Sequence, residues 1–196
     1  MVLLRLLSVL FLLSAGCGPR VFTEGEYDDP EKVDLLSDQF TDSDMRMMSD
    51  TLVQSLLKDP IVDKANKKPV IQVESVHNRT SEHVDMKSLT DKILVALSKS
   101  KKLTFHHKEL RETVKEEYEY QQSGVVKPET AKGPGEQIGA DYLLSGDLAS
   151  SIQRVGDKEI IYYKLTLKVT NLKSNLVAWT DEAEVKKRFR KKRVSP

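Results

Sequence analysis

The chain has 196 residues, 31 basic and 30 acidic side chains, and a formal net charge of +1. That balance offers no ground for a nucleic-acid partner, which calls for a strongly basic surface. A single cysteine excludes an internal disulfide. The length suits one domain that buries roughly 70% of its unfolded surface and needs no staple.

Residues 1–16, MVLLRLLSVLFLLSAG, hold one charge, Arg5, and an apolar block over 6–13. A spanning helix needs ~20 apolar residues, so the block is too short to cross a membrane. A basic start, a short apolar core and the small residues Ser14, Ala15 and Gly16 have the layout of a secretory signal. A buried N-terminal strand is the plainer alternative. Cys17 follows at once. In an exported chain a lone thiol is a hazard unless it is used. Its neighbours Gly18, Pro19 and Arg20 read as loop rather than core, so covalent modification is the simplest use. Residues 18–32, GPRVFTEGEYDDPEK, hold two Pro, two Gly and five acids without periodicity. Residues 17–32 therefore read as a tether, which spans about 50 Å when fully extended.

A single α/β domain is expected over residues 33–185. In FTDSDMRMMSDTLVQSLLKDP, Thr41 or Ser43 can cap a helix whose apolar face is Met45, Met48, Leu52 and Leu56. The methionines suit an adaptable groove as well as a core, and their ordinary helical spacing favours the core. Lys58-Asp59-Pro60 ends the helix. Val70, Ile71, Val73 and Val76 predict a strand, followed by a polar loop from His77 to His83. Asp85 caps a second helix carrying Met86, Leu89, Ile93 and Leu97, and a short strand over 103–106 follows. That order predicts a right-handed parallel βαβ unit. Leu110, Val114 and Tyr118 mark a third, mostly solvated helix. Around Gly133-Pro134-Gly135 the pattern breaks, with a short helical turn expected over 134–138. Three strands then follow, joined at Gly156-Asp157 and at Lys173-Ser174-Asn175. In the middle one Leu165, Leu167 and Val169 alternate with Lys164, Thr166 and Lys168, so one face is buried and one is wet. The sum is an α/β fold: a mixed five-stranded sheet, made of a βαβ unit plus an antiparallel meander, flanked by helices over its apolar face.

The chemistry of catalysis is missing from the pattern. There is no nucleophile elbow, no glycine-rich phosphate loop, and no free thiol once Cys17 is used. His106 and His107 are adjacent on a strand and point to opposite faces. His77 and His83 lack metal-ligand spacing. The many acids single out no pair for glycoside cleavage. The chain is therefore read as no enzyme, with no cofactor and no metal. Asn78-Arg79-Thr80 matches a glycosylation sequon but reads better as a turn.

The chain closes on KKRFRKKR, seven basic residues in eight. Residues 186–196 read as a basic tail carrying Lys186, Lys187, Arg188, Arg190, Lys191, Lys192 and Arg193. Such a run is either a solvated tail or a patch drawn to anionic lipid headgroups at ~1 kcal/mol per charge.

Ala15, Gly16 and Cys17 resemble the lipobox of bacterial lipoproteins, in which a peptidase cuts before a cysteine that carries diacylglycerol. Beyond the leader, LVQSLL, VESVHNRTSEHVD, TDKILVALSKSKKLTF, ETAK, IGADYLLSGDL and YYKLTLKVTNLKSNLVAW resemble the LpoB-type penicillin-binding protein activators. The resemblance covers most of residues 41–185. It implies a non-enzymatic lipoprotein of the outer membrane, facing the periplasm and held by lipid on Cys17. Its implied partner is a class A penicillin-binding protein, a peptidoglycan synthase that it binds and activates. Gly18 stands where an aspartate would mark inner-membrane retention, which favours the outer membrane. A structural or assembly subunit of an outer-membrane complex is the alternative. The resemblance carries no partner-contact residues. From the residues themselves, Lys132, Glu136, Ser145 and Asp147, before and on the strand after GADY, form a candidate docking face.

Overall fold

The computed structural model describes residues 27, 29–33, 35 and 37–190. The chain divides into two units, Met1–Lys32 and Val33–Pro196. In the first, Asp29 closes a turn: its carbonyl accepts from the Lys32 N–H at 3.1 Å and its carboxylate from the Glu31 N–H at 2.8 Å. Every helix and strand below belongs to the second.

Helix α1 (Asp42–Lys58) starts at a capping box. Thr41 is the cap: Asp44 N–H donates to its hydroxyl, and the Asp44 carboxylate accepts from the Thr41 N–H at 2.8 Å. Two otherwise orphaned donors are thus satisfied at once. Met48, Leu52 and Leu56 are buried, as the spacing predicts. Asp59 then caps the single turn α2 (Pro60–Asp63), because proline accepts a first-turn position but not an interior one.

Strand β1 (Val70–Val73) pairs in parallel with β3 (Thr104–His107) on one side and β4 (Tyr142–Val155) on the other. Between β1 and β3 runs α3 (Met86–Lys99), capped by Asp85 as predicted, with Leu89, Ile93 and Leu97 buried. β4, β5 (Lys158–Asn171) and β6 (Val177–Arg190) form an antiparallel meander of fourteen-residue strands. The β4–β5 turn is two residues, Gly156 at φ +60 and Asp157, a geometry that matches strand twist. The β5–β6 turn is held by Asn171, whose side-chain oxygen accepts from the N–H groups of Lys173 and Ser174.

The sheet has six strands, not five. The stretch expected as a polar loop contributes β2 (His77–Arg79), which pairs in parallel with Asp147, Leu148 and Ala149 of β4. β4 is long enough to hold β1 along one stretch and β2 further on. Strand order is β3-β1-β4-β5-β6, with β2 beside β4. The short helix expected over 134–138 does not form. That segment is turn and loop, with Gly135 at φ +93, a conformation no helix contains.

α1 and α3 lie together over one face, where Ile71, Val73, Leu144, Leu148, Leu165 and Val169 meet them in a single core. The third helix, α4 (Arg111–Tyr120), follows a 3-10 turn at Lys108–Leu110 and buries none of its residues. It lies towards the opposite face, where Arg111 bonds Gln72. Helices thus flank both faces rather than the apolar face alone.

The basic run is not a tail at its start. β6 continues through Arg190, and its side chains alternate. Lys186, Arg188 and Arg190 are exposed, whereas Lys187 is buried at 4% exposure and Phe189 packs against the core. Burial of Lys187 is compensated by Asp44 at 2.5 Å, by the Gln39 carbonyl at 2.8 Å, and by the Tyr163 ring 5.6 Å away. Cys17, Lys191, Lys192 and Arg193 lie outside the described residues.

Candidate docking surface

The residues that carry the sequence resemblance do structural work. Asp141 of GADY accepts the Val70 N–H on its carboxylate at 3.0 Å and donates its own N–H to the Val70 carbonyl at 2.7 Å. Its carbonyl takes the Leu172 N–H. One residue thus ties the starts of β1 and β4 to the end of β5. Asn78 accepts from both the N–H and the hydroxyl of Thr80 and donates to the Glu82 carbonyl at 2.8 Å. Its amide is spent on a turn. Trp179 is buried in the core.

Ser145 and Asp147 are placed differently. They alternate on β4 with the core residues Leu144 and Leu148, so they point to the face opposite α1 and α3. Pairing extends that face across the meander. Ser145 stands opposite Lys168 and Asp147 opposite Thr166. Beyond them on β6 lie Thr180 and Glu182, and further along Glu184 and Lys186. Among the described residues no helix covers this half of the face, and its outer strand is exposed at every second residue.

The charges on it fall into two sets. Lys164 pairs with Glu182 at 3.2 Å, and the Tyr162 hydroxyl donates to Glu184. The Glu184 hydrogen bond, chiefly, pushes the Tyr162 phenol up to about 12. Asp147 and Lys168, by contrast, are half-buried and make no side-chain hydrogen bond or ion pair among the described residues. Partly desolvated charges without a mate are what a complementary surface satisfies.

Lys132 and Glu136 lie on the exposed loop leading into β4. The Lys132 N–H is held by Gln121 Oε1 at 2.7 Å. Among the described residues, no hydrogen bond or ion pair joins either residue to Ser145 or Asp147, and the four expected docking residues lie on two different segments, a loop and a strand. Sequence reasoning missed Lys168, whose strand alternation with Leu167 and Val169 marked it as outward. It also missed the Lys187–Asp44 pair, which no local pattern reveals.

Among the described residues, no group of three or more His, Cys, Asp or Glu side chains is placed to hold a metal ion. No described helix is long and apolar enough to cross a membrane.

The profile of a family described as "Peptidoglycan-synthase activator LpoB" matches residues 44–185, most of the chain. The chain belongs to the LpoB family. Among solved structures it is similar to the LpoB C-terminal domain from Salmonella enterica, at 19% identity and a TM-score of 0.46, over 72% of this chain and 98% of that one. The LpoB C-terminal domain from Escherichia coli gives 17% identity and a TM-score of 0.47 over the same shares. The NMR structure of E. coli LpoB gives 18% and 0.45, over 89% of this chain and 86% of that one. A comparison with curated protein sequences finds no match.

Proposed function

We propose that this chain is a non-enzymatic, lipid-anchored activator that docks on a class A penicillin-binding protein and raises its peptidoglycan synthesis. The family match over residues 44–185 carries the reading. Activation by binding requires that the synthase's active state hold the activator more tightly than its inactive state does. The docking face is the helix-free half of the sheet, centred on Ser145, Asp147 and Lys168, while Lys132 and Glu136, on the loop before β4, stand outside it. Its half-buried unpaired charges support that choice. Lipid on Cys17 anchors the chain to the outer membrane, facing the periplasm, through a tether of about 50 Å. Lys186, Arg188 and Arg190 supply the attraction to anionic headgroups, and Lys187 has no share in it because it is buried.

In-cell photocrosslinking from position 147 tests the docking claim. The expected product is an adduct with the class A synthase, identified by mass spectrometry. A ladder of this chain's own oligomers with no synthase adduct would favour an assembly subunit instead. For the anchor, labelled palmitate is expected on the wild-type chain and absent after Cys17→Ser; label that survives the substitution would contradict it.

A further inference from the structure

The other end of the same sheet face holds a cavity that the docking reading does not use. α4 buries none of its residues. Its apolar residues Val114 and Tyr118, with Leu110 of the preceding 3-10 turn and Ile138 of the following loop, line a groove of about 650 Å³. Val70, Thr104 and Phe105 also line it. Leu110 and Ile138 are 53% and 71% exposed, so the groove is apolar and open to ligand.

Its charge is one-sided. Lys67, Lys68 and Arg111 line it, and among the described residues no carboxylate does, in a chain whose acids and bases are nearly equal in number. Lys68 is exposed and makes no hydrogen bond or ion pair among the described residues. Arg111 donates to Gln72 Oε1, a neutral amide oxygen, and its charge is shared with Glu74, whose carboxyl it helps to hold below the usual range. Lys67 meets Asp141 at 3.7 Å with its side chain 83% exposed. The volume falls in the range of small-molecule sites, which are apolar clefts with a few oriented polar groups.

We propose that this groove binds a small anionic amphiphile. Its apolar chain lies along Leu110, Val114 and Tyr118, and its carboxylate head meets Lys68 and Arg111. Charge complementarity selects this occupant: a neutral amphiphile leaves Lys68 unmatched, and a cationic one is repelled by a lining that holds three cations. A carboxylate also accepts the paired N–H groups of a guanidinium.

The test uses residues 18–196, which retain every described residue, and three probes of one chain length: decanoate, decanol and decylammonium. Calorimetry reads affinity, and amide NMR shifts read location. Decanoate is expected to bind about tenfold more tightly than decanol, the worth of a charge-assisted hydrogen bond, with shifts at Val70, Thr104, Val114 and Ile138. Lys68→Glu, at an exposed site, is expected to remove that advantage and leave decanol binding unchanged. Val114→Trp is expected to fill the groove and abolish both, with thermal stability retained. Decanol or decylammonium binding as tightly as decanoate would overturn the proposal. So would shifts confined elsewhere, decanoate binding unaffected by Val114→Trp, no saturable binding, or displacement of decanoate by an acidic peptide at lower concentration.

Discussion

Lys187 leaves 4% of its side chain to solvent and holds Asp44, itself 3% exposed, at 2.5 Å. Asp44 also closes the α1 capping box, so one carboxylate serves a helix end and a strand 143 residues away. Removing one partner of a buried pair strands the other charge at a cost of about 3–5 kcal/mol. Lys187→Met should therefore lower stability by about that much in urea unfolding. Lys186→Met, one residue away but exposed, should change it by less than about 0.5 kcal/mol. Adding Asp44→Asn to Lys187→Met should restore part of the loss; a further loss of equal size would show that the stranded charge is not the cause. Tyr162 and Tyr163, adjacent on β5, give the alkaline counterpart. Tyr162 is raised by its hydrogen bond to Glu184, and Tyr163 is raised further, first by burial and then by Glu82. A folded pKa above the unfolded value of 10.0 stabilises fully below pH 10 and is lost as pH rises through about 12. Tyrosinate absorbance should show the Tyr162 titration near pH 12, and Glu184→Gln should return it towards about 10. An unchanged titration would show that Glu184 does not set it.

At the scale of elements, Gly146 shows how tightly β4 and β5 meet. A Cβ there would lie 2.5 Å from Leu167 Cδ2 and 2.6 Å from the Thr166 carbonyl oxygen. The backbone contact cannot be relieved by a rotamer change, so Gly146→Ala should cost about 1–3 kcal/mol in thermal unfolding. Unchanged stability would mean that the strands part easily. The meander was legible because each long strand alternates between a core and a solvent side. The start of α1 was legible too, since Thr41 and Asp44 carry a local capping signal. β2 was not: His77, Asn78 and Arg79 are all exposed and show no alternation, and what makes them a strand is the length of β4 beside them. The last part of β6 was hidden by charge. Its alternation persists through Trp179, Ala183, Lys187 and Phe189, but a lysine on the inward side reads as solvent until Asp44 is known to meet it. Ser145 and Asp147 were readable as outward residues. That Lys132 and Glu136 stand apart from them was not, because a loop's course follows from tertiary packing.

Across the whole domain, the sheet divides its labour between two faces. One is sealed by α1 and α3 over a single core. The other is partly lined by α4 beside an open groove, and among the described residues no helix covers it over β4, β5 and β6. That half holds Asp147 and Lys168, which make no side-chain hydrogen bond or ion pair among the described residues, on long paired strands. The groove and that half use different residues and can be perturbed one at a time. The most direct measurement is glycan-chain synthesis by the purified class A synthase, titrated with residues 18–196. The wild-type chain should raise the rate to a plateau. Asp147→Lys should raise the concentration for half-maximal effect by about tenfold, the cost of a like charge set against a complementary surface. Lys68→Glu should match wild type. No stimulation at saturating wild-type chain would contradict the activator reading itself. Stimulation by Asp147→Lys equal to wild type would instead place the contact elsewhere on the domain.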